Sequence, residues 1–179
     1  MTTYGVHTES GAVRLERVLP GPIERVWDYL TESDKRRQWL AAGSMDLRVG
    51  GAVELRFNHA ELSAKKEPTP ERYKKYEGGH TNHGKVTRCE PPRLLSFIWG
   101  NSPEDDSEVT FELSPQGSNV LLVVTHRRLR DRNAKVSVAG GWHVHLDVLV
   151  DILSGNEPRP FWSALAVVDD EYERRFPAG

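Results

Sequence analysis

Cysteine is almost absent: Cys89 is the only one in 179 residues, so no intramolecular disulfide can form and the fold rests on its core. That usage reads as a reducing, cytoplasmic setting. Net charge is equally scarce, since 24 Lys and Arg against 26 Asp and Glu leave −2. A chain so balanced carries no electrostatic footprint for nucleic acid and no basic face for anionic lipid. Long apolar runs are missing as well, none approaching the ~20 residues of a spanning helix. The opening Met1-Thr2-Thr3-Tyr4-Gly5 has neither the basic region nor the apolar region of a signal peptide. Phosphate-binding glycine motifs are not found, and no serine sits in a nucleophile elbow. Nucleic acid and membrane are therefore excluded as partners, and no cofactor, metal or catalytic residue is assigned.

What is present fits one domain. A chain of this length buries roughly 70% of its unfolded surface without staples. Residues 12–19 alternate, with Val13, Leu15, Arg17 and Leu19 on one face, as a strand does. Pro20-Gly21-Pro22 breaks the pattern, and Ile23, Val26, Trp27 and Leu30 follow at helical spacing. A second short helix is expected over residues 34–40, with Ser33 as its cap and Trp39 and Leu40 turned inward. The period then changes to two. Strands are expected at 45–49, 52–57, 83–89, 94–99, 108–113 and 120–127, separated by Gly50-Gly51, Pro91-Pro92, Asn101-Ser102-Pro103 and Pro115-Gln116-Gly117. Residues 58–79 are charged, with Pro68, Pro70 and Gly78-Gly79, and read as an inserted loop with one helical turn near 71–76. A long helix follows, carrying Trp142, Leu146, Leu149, Val150 and Leu153 and closed by Gly155. After Pro158 and Pro160 a last amphipathic segment holds Phe161, Leu165, Val168 and Tyr172. Elements segregated in this way read as α+β, an antiparallel sheet covered by the one helix long enough to cover it. A curved sheet gripping a helix leaves space between them, and that space is the expected site.

Several segments resemble the START-like (SRPBCC) superfamily, in its bacterial branch homologous to the activator of heat-shock-protein-90 ATPase. They are Val26-Trp27, Arg37-Gln38-Trp39-Leu40, Asp46-Leu47-Arg48-Val49-Gly50-Gly51, and Gly84-Lys85-Val86 leading to Pro91-Pro92-Arg93-Leu94. Phe97-Ile98-Trp99, residues 108–113, Val123-Val124-Thr125-His126 and Gly141-Trp142 continue the likeness in order. The resemblance implies a helix-grip fold: a curved antiparallel sheet of six or seven strands wrapped on a long C-terminal helix, with two short helices after the first strand. It implies one domain over 1–179, with the 58–79 insertion and a helical segment at 160–176 beyond the minimal unit. Activities across the family range from lipid or polyketide binding through cyclisation to co-chaperone work. No counterpart of the eukaryotic activator's separate N-terminal chaperone-binding domain is expected, which weighs against a direct co-chaperone role.

The remaining constellations are bland. His80-Thr81-Asn82-His83 has metal-like spacing, but on a strand its two histidines face opposite ways. His143 and His145, two apart on a helix, diverge by about 200°. Lys35-Arg36-Arg37 and Arg127-Arg128-Leu129-Arg130 read as solvated surface, and Glu54, Glu108 and Glu112 as strand charges facing solvent. Gly140-Gly141 reads either as a kink or as room left over the sheet for a ligand. The expected partner is a small hydrophobic or aromatic molecule, held by Phe57, Phe97, Trp99, Val124, His126, Gly141 and His145. Two alternatives stay open: a cyclase-like enzyme using the same pocket, and a chaperone-linked interaction protein. Monomer and homodimer both fit.

Overall fold

Alternation and its interruptions place the strands and helices in the computed structural model, which describes residues 3–8, 11–63, 65–100 and 106–177. The Asn101-Ser102-Pro103 turn lies outside them. A two-residue edge strand β1 (Val6–His7) precedes β2 (Val13–Pro20). Two short helices follow, α1 (Ile23–Thr31) and α2 (Ser33–Arg36), then β3 (Ala52–Phe57). The long antiparallel run is β4 (His80–Glu90), β5 (Leu94–Ile98), β6 (Glu108–Gln116) and β7 (Asn119–Arg127). Two helices close the chain, α3 (Arg132–Leu153) and α4 (Phe161–Arg175). The seven strands form one antiparallel sheet in the order β1-β2-β7-β6-β5-β4-β3, so the first long strand closes beside the last. Its register sets Leu15 opposite Val124 and Val109 opposite His126. This is the helix-grip architecture: a curved sheet around α3, with α1 and α2 inserted after β2.

Three expectations change. Residues 45–49 are not a strand; only Ala42 and Met45 make isolated bridges to β3, because Asp46 and Arg48 fold the chain into a tight turn. The second helix stops at Arg36, and its cap position is Glu32; the Ser33 hydroxyl instead accepts from the Gly43 amide at 2.9 Å. Arg36 is no surface residue. It is 1% exposed, and its guanidinium donates to the carbonyls of Leu30, Thr31, Ala41 and Gly43, tying the α1–α2 corner to the strap of chain that follows. Such a fork satisfies carbonyls that helix ends leave open.

Helix α3 is the centre of the core. Asp131 caps it, accepting from the Ala134 amide at 2.8 Å, and Gly155 ends it at φ +78°. By length and composition α3 would span a bilayer, yet most of that stretch is buried in the fold. The stripe of Trp142, Leu146, Leu149 and Leu153 is only part of what it buries, because α4 covers a second face. On the flank toward β2, charge rather than apolar contact fills the gap. Arg17 Nε donates to Asp147 Oδ1 at 2.9 Å, and Arg159 joins Asp147 to Asp151. His143 donates from Nε2 toward Asp147 at 3.3 Å, while its Nδ1 meets the Tyr172 hydroxyl of α4 at 2.9 Å. That hydroxyl also accepts from the Gly5 amide, pinning the N-terminal segment. Burial alone would raise the Asp147 carboxyl, but the His143 hydrogen bond with the Arg17 and Arg159 charges outweighs it and holds the carboxyl below its usual range.

Candidate functional site

Two consecutive glycines on α3 meet different surroundings. A Cβ on Gly140 would stand 2.2 Å from Asp169 Oδ1, so the missing side chain is what lets α4 close against α3. A Cβ on Gly141 would meet nothing within 4 Å. It faces a cavity of about 500 Å³.

The sheet contributes the ends of its strands to this cavity, Phe57, His80 and His126, with Trp99 just past the end of β5. Helix α3 adds Ser137, Gly141, Trp142 and His145, and α4 adds Phe161, Trp162 and Leu165. The stretch between β3 and β4 supplies His59, Tyr73 and Tyr76. That stretch is more than a loop. It forms two short 3-10 helices, His59–Glu61 and Glu71–Tyr76, and buries Leu62. Its rings pack in sequence around the opening, Tyr76 on His80 at 4.6 Å and Tyr73 stacked on Trp162 at 5.3 Å. Phe57 stacks flat on His80 at 4.8 Å, and Trp99 meets Trp142 edge to face at 5.3 Å.

Five of the seven residues expected to line the site border this cavity: Phe57, Trp99, His126, Gly141 and His145. Phe97 and Val124 do not. Each lies two residues deeper along its strand, on the same face as Trp99 and His126, where the gap between sheet and helix is filled. Phe97 packs behind Trp99 and against Phe111. Sequence reasoning missed His80, Ser137 and Trp142, on elements it had already turned toward the site, and all of the lining residues of α4 and of the 58–79 stretch. For the last two the signal was the aromatic content of an otherwise charged segment, Tyr73 and Tyr76, and the Phe161-Trp162 pair after two prolines.

Four imidazoles border the cavity, and burial keeps them neutral. It drives His126 down to about 3 and, with the neighbouring His145 and His80, His59 to about 3. It brings His145 to about 4 against the opposing pull of the Trp39 carbonyl, and it lowers His80. Two tautomers follow from the partners. His126 Nδ1 accepts from Trp142 Nε1 at 3.0 Å, so its proton sits on Nε2, toward Ser107 Oγ at 2.9 Å. His145 donates from Nδ1 to the Trp39 carbonyl at 2.8 Å, which leaves a lone pair on Nε2. Among the described residues no Lys, Arg, Asp or Glu lines the cavity. Glu54 pairs with Arg56 and Glu112 is exposed, while Glu108 accepts from Thr87. His143, two residues from His145, faces the opposite flank and the Asp147 network.

The sequence profile described as "Activator of Hsp90 ATPase homolog 1-like protein" matches residues 20–154. Among solved structures, the chain is similar to a Bordetella parapertussis protein determined by solution NMR, at 48% identity and a TM-score of 0.82. That match covers 98% of this chain and 91% of the other, carrying it past residue 154 through α4. CalU16 from Micromonospora echinospora, in its crystal structure, is 23% identical with a TM-score of 0.66, over 96% of this chain and 93% of that one. The Aha1 dimer of Colwellia psychrerythraea is 21% identical with a TM-score of 0.59, over 79% of this chain and 95% of its own. At those lower identities the likeness is of fold alone. No curated protein matches the chain.

Proposed function

The chain belongs to the activator of Hsp90 ATPase homolog 1-like family, of START-like fold, and from that premise we propose that it binds a small, uncharged apolar or aromatic molecule in the cavity between sheet, α3 and α4. The observation that carries this reading is an unfilled, ring-lined space with no charged side chain among its described walls. About 500 Å³ is within the range of small-molecule sites. An ionised ligand would lose its hydration there without gaining a counter-ion, a cost that selects against it. A flat aromatic ring would meet ring edges and faces along the walls, Trp99, Trp142 and Phe161 among them. One hydrogen-bond donor on it would meet the lone pair of His145 Nε2.

A catalytic use of the same cavity is supported less well. Imidazoles lowered to about 3 or 4 are weak bases, and both nitrogens of His126 are already engaged. The family name and the dimeric Aha1 neighbour raise a chaperone partner or a second copy as a surface reading. The large apolar side chains that are more than half exposed, Val6, Val18, Val49 and Val167, lie on different elements and offer such a partner little.

The test is titration with N-phenyl-1-naphthylamine, an uncharged fluorogenic probe, read by its emission and by tryptophan quenching. Micromolar affinity is expected, at least about tenfold tighter than for its sulfonated relative 1-anilinonaphthalene-8-sulfonate. Gly141→Leu would project a side chain into the cavity and weaken binding strongly in a folded protein. Undiminished affinity in that variant would place the site elsewhere.

A further inference from the structure

Segments beyond the sheet and α3 close the cavity on its open side, held there by two ring contacts, Tyr73 on Trp162 and Tyr76 on His80, and by a set of polar side-chain contacts. Residues 65–79 cross from β3 toward β4 without pairing into the sheet. Their backbone hydrogen bonds are local, Tyr73 to Pro70, Glu77 to Lys74 and Gly79 to Tyr76. Side chains fasten this stretch to α4. Glu67 accepts from the amides of Trp162 at 3.1 Å and Ser163 at 3.3 Å, and from the Ser163 hydroxyl. The Tyr73 hydroxyl donates to Asp169 Oδ2, with the Arg72 guanidinium 3.6 Å from the same oxygen.

The closed arrangement leaves polar atoms unserved where it meets the rest of the protein. His80 Nδ1, where the stretch runs into β4, and Asp169 Oδ1, at its landing point on α4, are buried without hydrogen-bond partners, as is His59 Nδ1 on the neighbouring cavity wall. Buried orphans of this sort cost free energy that water would relieve. Two of them, at His80 and Asp169, fall where the stretch meets β4 and α4 and weaken that seam; Arg127 Nε, on β7, is a further one away from it. The sheet and α3, by contrast, cannot part without unfolding, because their contact is continuous core.

We propose that residues 65–79 are a movable strap, latched to α4 through Glu67 and Asp169, whose opening sets how fast a ligand enters and leaves the cavity. The strap acts on rate; the rings fixed on the sheet, α3 and α4 form most of the ligand's wall, and Tyr73 and Tyr76 complete it when the strap is closed. Gly78-Gly79, at φ +87° and +97°, form one hinge, since that conformation is open to glycine and strained for other residues. Such a stretch belongs to the low-stability end of a structure, where local opening precedes global unfolding.

This inference rests on the ligand reading for its kinetic arm only. In stopped-flow mixing with N-phenyl-1-naphthylamine, Asp169→Ala should raise the on- and off-rates roughly five- to tenfold, the worth of one latch hydrogen bond, and Glu67→Ala, which removes three, by at least about as much, each with the dissociation constant within about twofold. Amide hydrogen exchange over residues 65–79 should accelerate by a similar factor in both variants, while exchange in β6 and β7 stays unchanged. Rates and exchange unaltered in both variants would overturn the strap. Exchange that accelerates equally in β6 and β7 would also overturn it, by showing general destabilisation. If the wild-type protein binds no probe, the ligand reading fails, and the exchange comparison still decides whether the strap opens.

Discussion

The two flanks of α3 are built on opposite principles. Toward β2 the gap is closed by charge: Arg17, Asp147, Arg159 and His143 form a connected set in which each buried group has a partner. Toward the ends of β5 and β7 the gap stays open, lined among the described residues by rings and neutral imidazoles and by no charged side chain. Neighbouring residues are divided between the flanks. Gly140 is filled by Asp169 and Gly141 faces empty space; His143 joins the ion network and His145 borders the cavity. The difference teaches that rigidity and vacancy come from one helix by rotation alone: a 100° step per residue sends adjacent positions to different environments.

The comparison breaks first, and hardest, at Arg17. Removing one member of a buried, hydrogen-bonded pair leaves an uncompensated charge, so Arg17→Met should cost about 3–5 kcal/mol in urea denaturation. A loss below about 1 kcal/mol would show that Arg159 and His143 suffice to hold Asp147, and that the charged flank does not anchor α3.

The open flank is sharpened by pH. His126 and His145 titrate near 6.5 when unfolded and near 3 to 4 when folded. Between these values the unfolded chain takes up protons that the fold refuses, so stability is full above about pH 6.5 and falls as pH falls through the window to about 4. Each imidazole contributes a slope of about 1.4 kcal/mol per pH unit. Denaturation midpoints measured from pH 7 to pH 4 should show that slope, and His126→Gln should remove one proton from it. The Asp147 carboxylate, held low by its partners, adds its own loss only at more acid pH. A flat profile across the window would mean that the cavity imidazoles are hydrated and titrate freely.

The smallest effect is the most direct contrast. Gly141→Ala gains helix propensity in open space and should stabilise by about 1 kcal/mol. Gly140→Ala must displace the Asp169 carboxylate and should destabilise by about 1–2 kcal/mol despite the same propensity gain. Equal shifts of one sign in thermal melts would erase the distinction between the two flanks.

Much of this architecture was legible without coordinates. Alternation set the inward face of β2, including Arg17, and the stripe from Trp142 to Leu153 identified the helix to be gripped. Phe57, Trp99, His126, Gly141 and His145 were placed on the sheet and the facing helix by periodicity, which is a property of each element alone. Depth along a strand is not. Phe97 has the same face and chemistry as Trp99, and only the packing two residues further in separates a core ring from a cavity wall.

The sequence by itself determined the α+β order, the run of antiparallel strands and the covering helix. Tertiary structure alone decided what those elements meet. Arg36, read in a basic run, became a buried fork because four carbonyls converge on it. The 58–79 stretch and α4, more than 80 residues apart, became one wall because Tyr73 finds Trp162 and Asp169. Local pattern fixes which way a side chain points from its own backbone; contacts across such distances depend on where the whole chain carries that backbone.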